Sequence, residues 1–259
     1  MGNSSSPEGK IINLQKEYLH LYLNERRDYP LAIRYKEFQA RDEDGLEKRL
    51  GILGEAHFAT NMESIIAEKI IHSYTAFAIE GATKMPNFFK FFSLAFAPAL
   101  LTYAFATERT APPANSLAKK YASSHFYPKF SLEDHDSSLF SFSQYSAMLL
   151  VAVVASVMSP YTFYSLKKHG DPLLPGTPAY EKSMQKKKSG KKSILERISD
   201  YGTHQNFPQR DQRMADRTQE IFQQEKSGDL LVIVGKNHLD GVVENLSQRI
   251  SLKEVLSYP

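Results

Sequence analysis

The sequence predicts an α/β protein, with a central sheet of parallel strands, flanking helices and an inserted apolar helical hairpin. Three observations lead to this. The runs Leu50-Gly51-Ile52-Leu53, Thr75-Ala76-Phe77-Ala78-Ile79 and Leu230-Leu231-Val232-Ile233-Val234 are short, almost wholly aliphatic and bounded by turn formers, the pattern of strands buried on both faces. Segments with apolar residues at helical spacing follow or precede them. The stretch from Gly81 to Thr203 is far longer than a strand-to-helix connection needs, and it holds two uncharged segments, 91–107 and 137–166.

Taken in order, residues 1–30 are a polar tail and an amphipathic helix, with Ile11, Leu14, Tyr18, Leu21 and Tyr22 at helical spacing over 10–28. The tail begins Met1-Gly2-Asn3-Ser4-Ser5-Ser6, the Met-Gly-x-x-x-Ser pattern of N-myristoylation. One acyl chain anchors only marginally, so a second membrane signal is required beside it. Residues 31–90 form the first half of the α/β domain. There Thr60-x-x-Glu63 has capping-box spacing, and Met62, Ile65, Ile66 and Ile70 then recur at helical period, which puts His57 in the loop entering a helix.

Residues 91–166 are the insertion. Its first segment lies between Lys90 and Glu108 and contains Pro98; its second is densest over 147–158 and breaks at Pro160. A spanning helix needs roughly 20 mostly apolar residues, so the first is marginal and the second sufficient. Lys84 and Lys90 precede the pair, while Lys167, Lys168 and the run 186–192 follow it. The positive-inside tendency then predicts two crossings, both flanks and the α/β domain cytoplasmic, and the loop 108–138 on the far side. The competing arrangement is a pair of buried helices or an apolar lid. Residues 167–200 are a basic linker.

Residues 201–259 form the second half of the domain. A helix over 210–225 carries Met214, Thr218, Ile221 and Phe222 on one side, and Arg210 and Asp211 fall within that inward face while Arg213 does not. The last strand leads to a helix marked by Val242, Val243, Leu246 and Ile250.

At 259 residues, one domain with an insertion is the economical count. The net charge of +3 is small and concentrated in the lysine run, which suits a solvated linker or an anionic membrane surface. No aromatic interleaving accompanies the lysines, so nucleic acid is not an expected partner. The absence of cysteine excludes disulfides, thiolate metal sites and a cysteine nucleophile. No Gly-x-Ser-x-Gly elbow, Walker loop or Gly-x-Gly-x-x-Gly fingerprint occurs.

The pattern Gly-x-x-His occurs twice, as Gly54-Glu55-Ala56-His57 and Gly235-Lys236-Asn237-His238, each directly after a predicted strand; the third strand ends in Glu80. Ligands of open α/β sheets bind at that carboxyl edge. Glu55, His57, Glu80, Arg210 and His238 are therefore expected to line one cavity. His57 and His238, with a carboxylate from Glu80 or Glu55, form a nitrogen and oxygen set for a divalent transition metal (Mn, Co or Zn) that activates water. The other carboxylate would act as general base, Arg210 would stabilise an oxyanion or hold a substrate carboxylate, and Asp211 would orient Arg210 or a histidine. A metal-free route, with His57 as base held by Glu80, fits equally. His20 and His72 read as structural residues, Glu133-Asp134-His135-Asp136 as an exposed polar turn, and His204 is not placed by its sequence context.

In order, Gly54-Glu55-Ala56-His57, Phe77-Ala78-Ile79-Glu80-Gly81, Arg210-Asp211-Gln212-Arg213-Met214-Ala215 and Val234-Gly235-Lys236-Asn237-His238-Leu239-Asp240-Gly241 resemble the signature of TraB/PrgY/TIKI-type proteins, a group linked to the erythromycin esterases and ChaN-like haem-binding proteins. The resemblance covers roughly residues 49–81 and 205–250. It implies an α/β fold with paired repeats and, for TIKI-type members, metal-dependent peptidase activity. Two functions follow as expectations: a membrane-associated hydrolase of peptide or ester bonds, or a non-catalytic membrane-associated protein that sequesters a peptide, haem or another small ligand.

Overall fold

The computed structural model describes residues 7–29, 31–41, 45–82, 87–133, 142–190, 194, 196–198, 207–226 and 228–259. The myristoylation motif, His135 and His204 lie outside them. The strands are β1 (Arg34–Arg41), β2 (Glu47–Glu55), β3 (Phe77–Ala82), β4 (Lys129–Glu133), β5 (Asp229–Gly235) and β6 (Leu252–Tyr258). They form one six-stranded sheet in the order β4-β3-β5-β2-β1-β6. β4, β3, β5 and β2 pair in parallel, and β1 runs antiparallel to both β2 and β6. The sheet is therefore mixed, with the parallel part that the three aliphatic runs predict at its centre.

The helices are α1 (Pro7–Glu25), α2 (Asn61–Ile71), α3 (Asn87–Ala106), α4 (Ala114–His125), α5 (Phe142–Val157), α6 (Ser159–His169), α7 (Pro178–Ser189), α8 (Phe207–Gln224) and α9 (Leu239–Ser247). Alternate strand residues feed two cores. Leu53, Phe77, Ile79, Leu231 and Ile233 pack with α1, α2 and α4; Leu50, Ile52, Ala78, Val232 and Val234 pack with α8 and α9. Phe77, fully buried, contributes about 1.5–3 kcal/mol by leaving water. Both faces of the central strands are covered, which is why they are apolar at nearly every position rather than at alternate ones.

α2 starts where the capping box predicts. Thr60 accepts from Glu63 N, and the Glu63 side chain accepts from Thr60 N in return. At the opposite edge of the sheet, Arg49 and Glu37 form a buried bidentate pair at 2.7 and 2.8 Å, and Arg49 also donates to Ser73 O.

The two apolar segments pack against each other, but not as the two long helices with a far-side loop that the sequence predicts. Part of the presumed far-side loop belongs to the α/β domain: α4 packs on α2, and β4 pairs in parallel with β3. The second apolar segment is not one helix either, since α5 and α6 meet at a bend of 69°. No single described helix is long and apolar enough to cross a membrane. The 91–166 unit is thus two apolar pieces, α3 and α5–α6, separated by an element pair of the core. Ser156 Oγ donates to Ala95 O at 2.6 Å, joining α5 to α3.

Both pieces are tied back to the sheet domain. Arg109, fully buried just past α3, bonds Glu63, Asp171 (2.6 Å) and Phe58 O (3.1 Å). Asp171, which follows α6, also accepts from Tyr103 OH at 2.8 Å. Ala111 N donates to Ala59 O at 3.0 Å in an isolated antiparallel bridge. The root of the insertion therefore lies along the loop that carries His57.

Candidate functional site

Four parallel strands bring their carboxyl ends to one edge, with Glu55 closing β2, Glu80 near the end of β3, Glu133 closing β4 and Gly235 closing β5. α8 lays its first turn across that edge. Residues three and four apart share a helix face, so Phe207, Arg210 and Asp211 reach it together.

Arg210 is the hub. Its Nε donates to Glu133 Oε1 at 2.7 Å, its Nη2 to Glu80 Oε1 at 2.9 Å, and its Nη1 to His238 Nε2 at 3.3 Å. Burial alone would lower the Arg210 pKa, but Glu133 and Glu80 outweigh it and raise the value, so the guanidinium is held charged. The other oxygen of Glu80 accepts from Gly235 N. His238 is the N-cap residue of α9 and is buried, with its Nδ1 2.5 Å from Asp211 Oδ1 and its ring edge-on to Phe207 at 4.7 Å. The Arg210 guanidinium can only donate, so Nε2 is the lone-pair nitrogen and Nδ1 carries the proton toward Asp211. Gly241 makes room for this pair, because a Cβ there would lie 2.0 Å from Asp211 Oδ2.

The structure thus joins Glu80, Arg210, Asp211 and His238, and adds Glu133. It does not join Glu55 or His57 to them by direct bonds. Glu55 turns to the start of α4, accepting from Ala114 N at 2.5 Å and Asn115 N at 3.3 Å. It satisfies there the free backbone N–H groups of a helix N-terminus. His57 is exposed on the bend before α2.

The two Gly-x-x-His motifs do lie side by side, with Gly54 opposite Val234 and Glu55 opposite Gly235. They diverge because five residues, 56–60, connect β2 to α2, whereas three, 236–238, connect β5 to α9. The shorter connection makes His238 a cap and turns it inward; the longer one carries His57 outward.

Glu133 escaped the sequence reading, which put it in an exposed turn. The signal was present in Phe130-Ser131-Leu132-Glu133, an alternating strand pattern closed by a carboxylate much as Ile79-Glu80 closes β3.

Among the described residues, no group of three or more His, Asp and Glu side chains has the arrangement of a metal site. The donor chemistry agrees. His238 Nδ1 is committed to Asp211 and its Nε2 faces the Arg210 guanidinium, whose charge repels a cation from that position. As arranged, the set His57, His238 and Glu80 does not suit a divalent metal. A separate groove of about 550 Å³, lined by Leu14, Tyr18, Lys69 and His72, lies between α1 and the C-terminal part of α2, toward the opposite edge of the sheet.

Glu55 has a further consequence. Burial, with Glu80's charge adding to it and the two backbone N–H groups opposing it, pushes its carboxyl up from 4.5 to about 7. Between those values the folded chain holds a proton that the unfolded chain has released, so stability falls as pH rises through that window, by on the order of 3 kcal/mol in all. Glu55→Gln keeps an acceptor for α4 without the charge. Urea midpoints between about pH 5 and pH 8 should decline in the parent chain and run flatter in the variant; parallel slopes would exclude Glu55 as the source.

Comparison of the chain with protein-family models, curated proteins and solved structures finds no match. Fold and site together define an α/β protein with an Asp–His–Arg–Glu cluster at the carboxyl edge of its parallel strands.

Proposed function

We propose that the protein is a membrane-associated hydrolase of peptide or ester bonds, distantly related to the TraB/PrgY/TIKI group, with its α/β domain on the cytoplasmic side. The observation that carries the reading is the line Asp211–His238–Arg210, in which a carboxylate fixes a histidine tautomer and a guanidinium sits on the nitrogen left free. In the free protein Arg210 Nη1 donates to His238 Nε2. A substrate carbonyl that takes over this donor releases the Nε2 lone pair for a water molecule.

The water then attacks the carbonyl carbon as its proton passes to Nε2, and the negative charge forming on the carbonyl oxygen is met by Arg210. Collapse of the tetrahedral species breaks the bond to the leaving amine or alcohol, which takes the proton back from His238. Glu80 and Glu133 position Arg210 throughout, and Asp211 stabilises the transient imidazolium.

One observation favours the second reading, a binding protein for a peptide, haem or another small ligand: Arg210 is already paired with two carboxylates. A ligand carboxylate would then exchange with them without any chemistry.

A peptide and ester library, assayed with and without EDTA, tests the proposal. Turnover should survive EDTA and the His57→Ala change and be lost in His238→Ala. Loss in EDTA together with loss in His57→Ala would instead establish the metal set, and retained turnover in His238→Ala would remove this site from the reaction.

A further inference from the structure

We propose that α3 and α5–α6 form a lipid-binding face that lies in the plane of one bilayer leaflet, without crossing it, and that selects anionic headgroups. This rests on the membrane association proposed above and refines it.

Connectivity excludes crossing. α3 leaves the sheet domain from β3 and rejoins it at Arg109 and Ala111, so both its ends are on the same side. α5–α6 leaves from β4 and rejoins at Asp171, whose carboxylate holds Arg109. A segment with both ends on one side crosses an even number of times. The 20 residues of α3 are about 30 Å long, too few for two crossings. The 16 and 11 residues of α5 and α6 are likewise too few for two crossings.

The side chains are arranged for lipid nonetheless. On α3, Phe91, Leu94, Leu101 and Phe105 are each more than half exposed, and at 100° per residue they fall within about 80° of arc. On α5, Leu150, Val153 and Val157 form a second exposed stripe. The opposite side of α5 carries Met148, Ala152 and Ser156, with Ala152 fully buried and Ser156 bonded to Ala95 O. Large apolar groups outside and small ones between the helices reverse the pattern of a helix pair in water and match that of helices packed in lipid.

A stripe running the length of a helix, rather than a band around it, puts the helix axis parallel to the membrane. The rim identifies the headgroup. Tyr161 and Tyr164 are exposed on α6, Lys167, Lys168 and His169 end that helix, and Lys182 and Lys188 are exposed on α7. The order apolar, tyrosine, lysine is that of a membrane interface, and the lysines favour anionic lipid.

The test uses full-length protein mixed with sealed phosphatidylcholine vesicles, with or without phosphatidylserine, and no substrate, so that it stands or falls apart from the hydrolase reading. The protein should float with vesicles, and better with phosphatidylserine. Leu101→Lys or Val153→Lys should weaken flotation roughly tenfold or more while leaving the thermal midpoint unchanged, because both positions are already exposed.

Because the chain has no cysteine, Ser116→Cys on α4 and Ser247→Cys on α9 provide unique labels. On vesicle-bound protein both should react with an external membrane-impermeant maleimide. Flotation with Ser116→Cys protected and Ser247→Cys labelled would overturn the in-plane arrangement and leave membrane association standing. Failure to float with either lipid mixture would overturn both. Flotation unaffected by phosphatidylserine would overturn the headgroup assignment. A dimer in solution that the lysine variants dissociate, without flotation, would assign the face to a second copy of the chain.

Discussion

On the proposed hydrolytic reaction, Asp211→Asn should lower turnover by about 10³- to 10⁴-fold and leave the fold intact, the general behaviour of a base histidine that has lost its orienting carboxylate. The geometry explains the size. Asp211 Oδ1 accepts from His238 Nδ1 at 2.5 Å, which fixes the proton there and frees Nε2. An asparagine can turn its amide N–H toward Nδ1, and the ring proton then moves to Nε2, where it blocks both the Arg210 contact and the uptake of a proton from water. The loss should fall on kcat rather than on KM, since Asp211 acts through His238 and not on substrate. Two-dimensional ¹H–¹⁵N spectra of the histidine ring provide a readout that needs no substrate. The parent should show the Nδ1–H tautomer and the variant the Nε2–H form, and an unchanged tautomer would deny Asp211 this role. Gly241 bears on the same point, because a side chain there would push Asp211 out of place.

Arg109→Ala should destabilise the chain by about 3–5 kcal/mol, a large share of the 5–15 kcal/mol typical of a folded domain. Arg109 is fully buried, and its partners Glu63 and Asp171 have side chains 4 % and 3 % exposed. Its removal strands two buried carboxylates. The cost is therefore that of orphaned charge, not the net worth of the ion pairs, which desolvation largely offsets. It follows that Arg109→Ala with Glu63→Gln and Asp171→Asn should be more stable than Arg109→Ala alone. Urea unfolding of the variants checks this. A loss of under about 1 kcal/mol would mean that water reaches the cluster. Because Arg109 also donates to Phe58 O, its loss should loosen the loop bearing His57, which hydrogen exchange over residues 56–60 would register.

By itself the sequence determined what depends on neighbours in the chain. The aliphatic runs before Glu55, before Glu80 and before Gly235 are legible as buried strands because burial on both faces demands apolar residues at every position. Thr60 and Glu63 announce the start of α2 because a capping box is complete within four residues. Arg210 and Asp211 are legible as inward-facing because helical spacing ties them to Met214 and Ile221. The outer strands were not legible in this way: β1 and the edge strand β6 beside it are rich in charge, and the other edge strand, β4, is short, so their identity comes from partners elsewhere in the chain.

Only the tertiary structure decided which of the candidate residues meet. Glu133 joins Arg210 across 77 positions of sequence, and His238 joins Asp211 across 27. Two identical Gly-x-x-His motifs part company because one connecting loop is two residues longer than the other, which no feature of the motif itself records. The apolar segments likewise suggest a spanning pair by their uncharged runs, yet α4 and β4 between them are held by α2 and β3, and that pairing keeps both ends of each segment on one side of the fold. Local preference is set by short-range sterics and burial pattern; the partners of a strand edge, a buried arginine or a site carboxylate are set by which distant surfaces close against one another.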